Sequence, residues 1–127
     1  ARLAPGGHLA FDVQLPDLKW LSLPATKRYS RMRMRDPVTG RAMIYSTNHD
    51  YDPVRQISLI RMYYDPADRG GGGFVVQLSQ RKFFPIELLL LVESAGFEVI
   101  ERWGGFAGQP LGPGCENQVI VAKKRRR

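Results

Sequence analysis

Residues 83–124 read FFPIELLLLVESAGFEVIERWGGFAGQPLGPGCENQVIVAKK, and the order of elements inside this stretch decides the fold. Pro85 carries the fixed φ that suits a first helical turn, and Gly96 can take the left-handed stop position, so a helix is predicted over 85–95. Phe84, Leu88, Leu91, Val92 and Ala95 share one face of it, while Ile86 and Leu90 point the other way. Two strands follow at 97–103 and 118–123, with a long loop between them. At the other end of the chain, residues 3–13 read LAPGGHLAFDV: a Pro-Gly-Gly turn, then an almost unbroken apolar run. A strand without polar alternation is expected to be buried on both faces, which favours an α/β sheet over a sandwich.

The middle of the chain has a different texture. Segments 28–35, 41–51, 55–64 and 74–82 are rich in Tyr, Ile, Val, Met and Thr. Turn signals separate them: Asp36-Pro37-Val38-Thr39-Gly40, then Asp52-Pro53, then Asp65-Pro66 leading to the glycine run 70–73. Four strands with short links predict an antiparallel meander, with 70–73 as a mobile hairpin tip. Segment 14–25, broken by Pro16 and Pro24, is expected to be a connection.

Composition bounds the function. The chain of 127 residues and 14.4 kDa is one domain or a piece of a larger one. Its 43% hydrophobic and 24% charged content excludes wholesale disorder. No apolar run approaches the roughly 20 residues of a membrane-spanning helix. A lone cysteine, Cys115, excludes an internal disulfide framework and a cysteine-built zinc site, and it reads as an incidental thiol. No metal-ligand spacing, Walker-type loop or aromatic ribonucleoprotein motif is present, so no metal site is expected. The net charge of +7 is concentrated at one end: without Lys123, Lys124, Arg125, Arg126 and Arg127, only 14 basic residues face 12 acidic ones. That run predicts a solvated tail whose nucleic-acid contacts would be non-specific. Alternation also places Arg31, Arg33 and Arg35 on one strand face. That row is either an exposed sheet face or a groove for an anion, and Asp36, Asp50, Asp52, Asp65 and Asp68 lie near enough in sequence to neutralise it.

Both ends of the chain resemble the closing half of class I S-adenosylmethionine-dependent methyltransferases. In that family a Pro-Gly-Gly turn precedes the fifth strand, here Pro5-Gly6-Gly7. A helix ending in Ala-Gly-Phe, here Ala95-Gly96-Phe97, leads to the sixth, and an antiparallel seventh strand slots between the two. The resemblance implies an α/β fragment of a Rossmann-like fold: strands five to seven and one main helix (1–25 and 83–124), with a four-stranded antiparallel insert at 26–82. In such relatives the insert covers the acceptor site and often helps to form a dimer. Loop residues Gly104-Gly105-Phe106-Ala107-Gly108-Gln109-Pro110-Leu111 resemble a family pattern that has an acidic residue where this chain has Gly105. The family binds its cofactor on a glycine-rich turn and an acidic residue in earlier strands. No cofactor-binding residue is therefore expected in this chain, and no activity from it alone.

Methyl transfer asks a protein mainly to align acceptor and methyl carbon. In an open α/β sheet, ligands sit outside the carboxyl ends of the parallel strands, where Asp12, Gln14 and Asp17 leave the fifth strand. Asp12 could equally serve only to fix the turn. Trp20, Tyr29 and Tyr51, with Tyr45, Tyr63 and Tyr64, could line a flat acceptor or pack the thin insert sheet. His49, in Asn48-His49-Asp50-Tyr51, is the candidate base, although alternation turns Asp50 to the opposite face; His8 reads as structural. The expectation is a cytoplasmic, self-associating part of a methyltransferase acting on a small molecule. The rival is a non-catalytic module that binds nucleic acid or protein through the basic tail and the arginine-rich sheet.

Overall fold

The computed structural model describes residues 3–126. In chain order its elements are β1 (His8–Gln14), α1 (Leu18–Leu21), β2 (Tyr29–Arg35), β3 (Ala42–Asp52), β4 (Ile57–Pro66), β5 (Phe74–Arg81), α2 (Pro85–Ser94), β6 (Phe97–Trp103) and β7 (Asn117–Lys124). They form two compact units, one comprising the segments up to Pro16 and from Lys82 onward, the other Asp17–Arg81. Residues 17–25 thus group with the meander.

In the first unit the strand order is β1-β7-β6, with β7 antiparallel to both neighbours. This is the mixed α/β arrangement the sequence implied. Leu88 and Val92 of α2 meet Ile120 and Ala122 of β7, with Phe11, Val13, Phe97 and Val99 packed around them. Burial of each large apolar side chain here contributes about 1.5–3 kcal/mol.

Three expectations for this unit need correction. β1 is not buried on both faces: His8, Leu9 and Ala10 are exposed. β7 lies along one of its edges, and among the described residues no strand lies along the other. On α2 the buried stripe is narrower than predicted, because Leu91 and Ala95 are exposed, whereas Ile86 and Leu90 are exposed as expected. Leu88 and Val92 lie one turn apart and fill the contact, which leaves Leu91 at its rim. The basic run is not a free tail either. Lys123 and Lys124 belong to β7, opposite His8 and Phe97, and the Arg125 N–H donates to the Gly96 carbonyl at 2.9 Å. Arg127 lies outside the described residues.

The second unit is the antiparallel sheet β2-β3-β4-β5. Aspartates fix its turns: Asp36 accepts from the Val38 N–H at 2.8 Å, Asp52 from Val54 and Arg55 at 2.9 and 3.1 Å, and Asp68 from Gly70 at 2.8 Å. These backbone donors hold all three carboxyls below their ordinary range. The glycine run 70–73 is fastened, since Arg41 donates to the Gly71 carbonyl at 2.7 Å and pairs with Asp68 at 2.9 Å.

One irregularity sorts the two faces of this sheet. Tyr29 lies opposite Thr47, yet Met32 lies opposite Tyr45, so β2 carries one extra residue between them. Ser30 takes up the extra length at φ 53°. Beyond this bulge Met32 and Met34 stay on Tyr29's face, and Arg28, Arg31, Arg33 and Arg35 all fall on the other. Segment 14–25, expected as a plain connection, contains α1. Asp17 caps it, accepting from the Lys19 and Trp20 N–H groups at 2.9 and 3.3 Å.

The α2 contact gives a direct comparison. Ile120→Ala should cost about 2–5 kcal/mol in urea unfolding, whereas Leu90→Ala should stay within about 0.5 kcal/mol. Equal losses would mean that α2 presents its other face to the sheet.

Candidate functional site

His49 sits near the middle of β3 and is 1% exposed. Its ring stacks on Trp20 with centroids 5.3 Å apart at 29°, and Trp20 meets Tyr29 edge-on at 5.9 Å and 65°. Tyr29 is held in turn by its hydroxyl, which donates to the Pro24 carbonyl at 3.0 Å. The structure therefore brings Trp20, Tyr29 and His49 together. Tyr51 follows two residues along β3 on the same face.

Neither His49 nitrogen has a hydrogen-bond partner among the described residues. Asp50 is paired with Arg61, and that carboxylate raises the Arg61 pKa. An imidazole that is buried, oriented by aromatic stacking and unpartnered is costly to keep for stability alone, and it can accept or donate a proton to an incoming group. Other aromatic candidates are occupied elsewhere. Tyr45, Tyr64 and Phe74 form a ladder with centroid spacings of 5.4 and 4.8 Å. Tyr63 lies under the Arg28 guanidinium, 3.7 Å from its ring centroid.

Asp12 is exposed on β1, opposite Val119. Asp17 is engaged as the α1 cap. Gln14 is engaged within the chain: its side-chain oxygen accepts from Lys82 Nζ at 2.8 Å, and its carbonyl accepts from Gln118 Nε2 at 3.4 Å. Gln118 also donates to the Phe83 carbonyl at 2.7 Å. Lys82 is 6% exposed, and burial pushes its pKa down. Sequence reasoning passed over this lysine, whose only signal is a charge set directly against Phe83-Phe84-Pro85.

The departure at Gly105 has a steric counterpart. A Cβ on Gly105 would stand 2.2 Å from Gln109 Nε2, and the Gln109 side-chain oxygen accepts from the Ala107 N–H at 3.1 Å. The Gln109 side chain thus fills the space that an acidic side chain at position 105 would need. Cys115 turns its thiol to the Pro110 carbonyl at 3.6 Å and packs against Gly104.

The residues present do not fit S-adenosylmethionine. Run 70–73 joins two antiparallel strands and opens no helix. The α1 N-terminus is occupied by the Asp17 carboxylate, and the first turn of α2 carries Pro85 and Glu87, so neither welcomes the cofactor's carboxylate.

Comparison with known proteins supports the same architecture. No protein-family model matches the chain, and no curated protein matches it in sequence. Among solved structures it is similar to the CcbJ methyltransferase from Streptomyces caelestis, with a TM-score of 0.70 and 20% identity over 96% of this chain and 48% of that one. It is also similar to an S-adenosylmethionine-dependent methyltransferase from Clostridium acetobutylicum, with a TM-score of 0.65 and 11% identity over 98% of this chain and 47% of that one. A third is CalS10, an amino pentose methyltransferase from Micromonospora echinaspora in calicheamicin biosynthesis, solved with S-adenosylmethionine bound. There the TM-score is 0.57, with 19% identity over 96% of this chain and 45% of that one. The chain spans about half the length of each of these structures.

Two nearly fully buried polar side chains, each 1% exposed, allow a controlled comparison. Gln118→Leu removes the side-chain amide bonds to the Phe83 and Gln14 carbonyls and should cost about 1–3 kcal/mol, whereas His49→Leu should be near neutral or stabilising. A loss at His49 as large as at Gln118 would assign the imidazole a structural bond. Lys82 supplies a pH signature. Its folded pKa lies below the ordinary 10.5, so the unfolded chain binds more protons in that window and stability gains from this group as pH rises toward 10.5. Wild type should gain on Lys82→Met between neutral and alkaline pH in paired urea titrations, and a constant difference would contradict the desolvation.

Proposed function

We propose that the intact protein is an S-adenosylmethionine-dependent methyltransferase acting on a small molecule, and that these residues form its acceptor-side portion. The carrying observation is the likeness of 96% of the chain, at a TM-score of 0.70, to a methyltransferase, with S-adenosylmethionine-dependent or S-adenosylmethionine-bound methyltransferases among the further similar structures. CalS10 acts on an amino pentose, which supports a compact polar acceptor for this protein as well. The cofactor would be held by a segment other than the one described, in keeping with the poor fit of these residues to it.

On this reading His49 takes up the proton released by the acceptor's hydroxyl or ammonium group at an unpartnered ring nitrogen. Trp20, Tyr29 and Tyr51 shape the surrounding surface. Trp20 rides on the single turn α1, which has little internal stability, so it can swing aside to admit the acceptor. Positioning supplies the rest of the rate. The insert sheet either covers the acceptor or joins two copies. The exposed β1 edge supports self-association, because its strand has neither proline nor lysine to discourage pairing. Among the described residues no helix is long and apolar enough to cross a membrane, and we place the enzyme in the cytoplasm.

Calorimetric titration with S-adenosylmethionine tests the assignment. The intact gene product should bind it with micromolar affinity, and the 127-residue chain should not. Binding by the short chain would return the cofactor site to these residues; no binding by the intact protein would end the methyltransferase reading. Light scattering at micromolar concentration should show a dimer or larger species, and a monomer would mean that the β1 edge is protected within one chain.

A further inference from the structure

The face of the insert sheet opposite His49 carries a second, independent feature. A cleft of about 350 Å³ opens there, lined by Arg28, Arg31, Arg33, Arg69, Ser46 and Asp65 among others. The bulge at Ser30 builds it. Without the extra residue in β2, Arg28 would face away from Arg31 and Arg33; with it, all three line one cavity.

The neutralisation expected from sequence does not occur. Asp36 and Asp52 cap turns, Asp50 pairs with Arg61, and Asp68 pairs with Arg41. Among the described residues Asp65 is the only acidic side chain that lines the cleft, bonded to Arg28 at 2.9 Å, and Arg28 is further fixed over the Tyr63 ring. Among the described residues Arg31, Arg33 and Arg69 have no carboxylate partner. Arg69 is held at φ 59° in the left-handed region, at the cleft's edge.

Ser46 is the observation that points to a ligand. It is 5% exposed and lines the cleft, and no hydrogen bond to the protein holds its hydroxyl among the described residues. A hydroxyl that lines the cleft without a bond to the protein, together with three uncompensated guanidiniums, offers donors to an acceptor that carries negative charge.

We propose that this cleft binds a small phosphorylated molecule bearing a diphosphate group. Three free guanidiniums against one already paired carboxylate call for a ligand with two to three negative charges, more than a single carboxylate supplies. Guanidinium forks match phosphate oxygens in bidentate geometry. The volume lies at the small end of ligand pockets, which fits a compact ligand better than a polymer. A nucleic-acid strand would also want stacking platforms, but among the described residues no aromatic ring lines the cleft, and the neighbouring Tyr63 ring is covered by Arg28.

The probes are inorganic pyrophosphate, ADP and a short single-stranded oligonucleotide, each titrated calorimetrically at fixed ionic strength. Pyrophosphate should bind at one site per chain. Arg31→Ala and Arg33→Ala should each weaken it about tenfold or more, Ser46→Ala should weaken it less, and Arg55→Ala, at the 52–55 turn and outside the cleft, should leave it unchanged. Both cleft arginines are exposed, so their variants should keep the wild-type thermal midpoint. ADP binding more tightly than pyrophosphate would identify a nucleotide ligand, and the reverse would identify the free diphosphate; either supports the site. Three results would overturn it: binding matched by sulfate at equal ionic strength, insensitivity to both arginine substitutions, or an oligonucleotide that outcompetes both diphosphates.

Discussion

The Gln118 side chain ties together the two points at which residues 17–81 leave and re-enter the first unit. One amide nitrogen donates to the carbonyls of Phe83 and Gln14, at 2.7 and 3.4 Å. The Gln14 side chain, in turn, receives Lys82. Beyond this knot, β1 runs in register along β7, with Phe11 opposite Ile120 more than a hundred positions away in sequence. This clamp fixes both ends of the long insertion between β1 and α2. Closing so long a loop has an entropic cost, and the ladder with its buried amide network offsets it. Gln14 and Lys82 are explained by this constraint before any ligand is considered.

The second unit depends on a constraint of another kind, the single extra residue in β2. Side chains alternate along a strand, so one inserted residue exchanges faces for everything that follows it. Tyr29 can therefore share a face with Met32 and Met34, while four arginines collect on the other. One side of the sheet is aromatic and holds His49; the other is cationic and holds Ser46. Two chemistries on one thin sheet are thereby kept from neutralising each other.

Much of this was legible in the residues. Pro85 and Gly96 bracket α2, and the Asp-Pro turns separate the strands of the meander. The two apolar end segments pair as the methyltransferase resemblance implied. Features that depend on partners distant in sequence were not legible. The α1 turn was hidden between prolines, although Asp17 before Leu18 is an ordinary capping signal. The bulge at Ser30 has no glycine to announce it. For the candidate site, alternation correctly separated His49 from Asp50, and composition suggested an aromatic surround, but the missing partners of His49 emerge only once every neighbour is placed. Gln14 was singled out because it stands at the carboxyl end of a strand, and its bonds to Lys82 and Gln118 were not legible there.

His49 and Ser46 lie on opposite faces of one sheet, and the physical problem falls on the imidazole. Both residues belong to β3 and are at least nine-tenths buried, but the two His49 nitrogens are shut away without a partner while Ser46 lines the open cleft. An unpaired buried polar group costs about 1–3 kcal/mol, and a unit of this size has little stability to spare. Elsewhere on β3 the sheet satisfies its polar groups: Asn48 bonds to Ala25, Arg61 and Tyr63, and Thr47 bonds to the Arg61 carbonyl. The unpartnered imidazole is therefore not a general looseness of packing. The two sites proposed above, one beside the stacked His49 and one among the arginines, would each draw on bonding capacity that the sheet leaves unused.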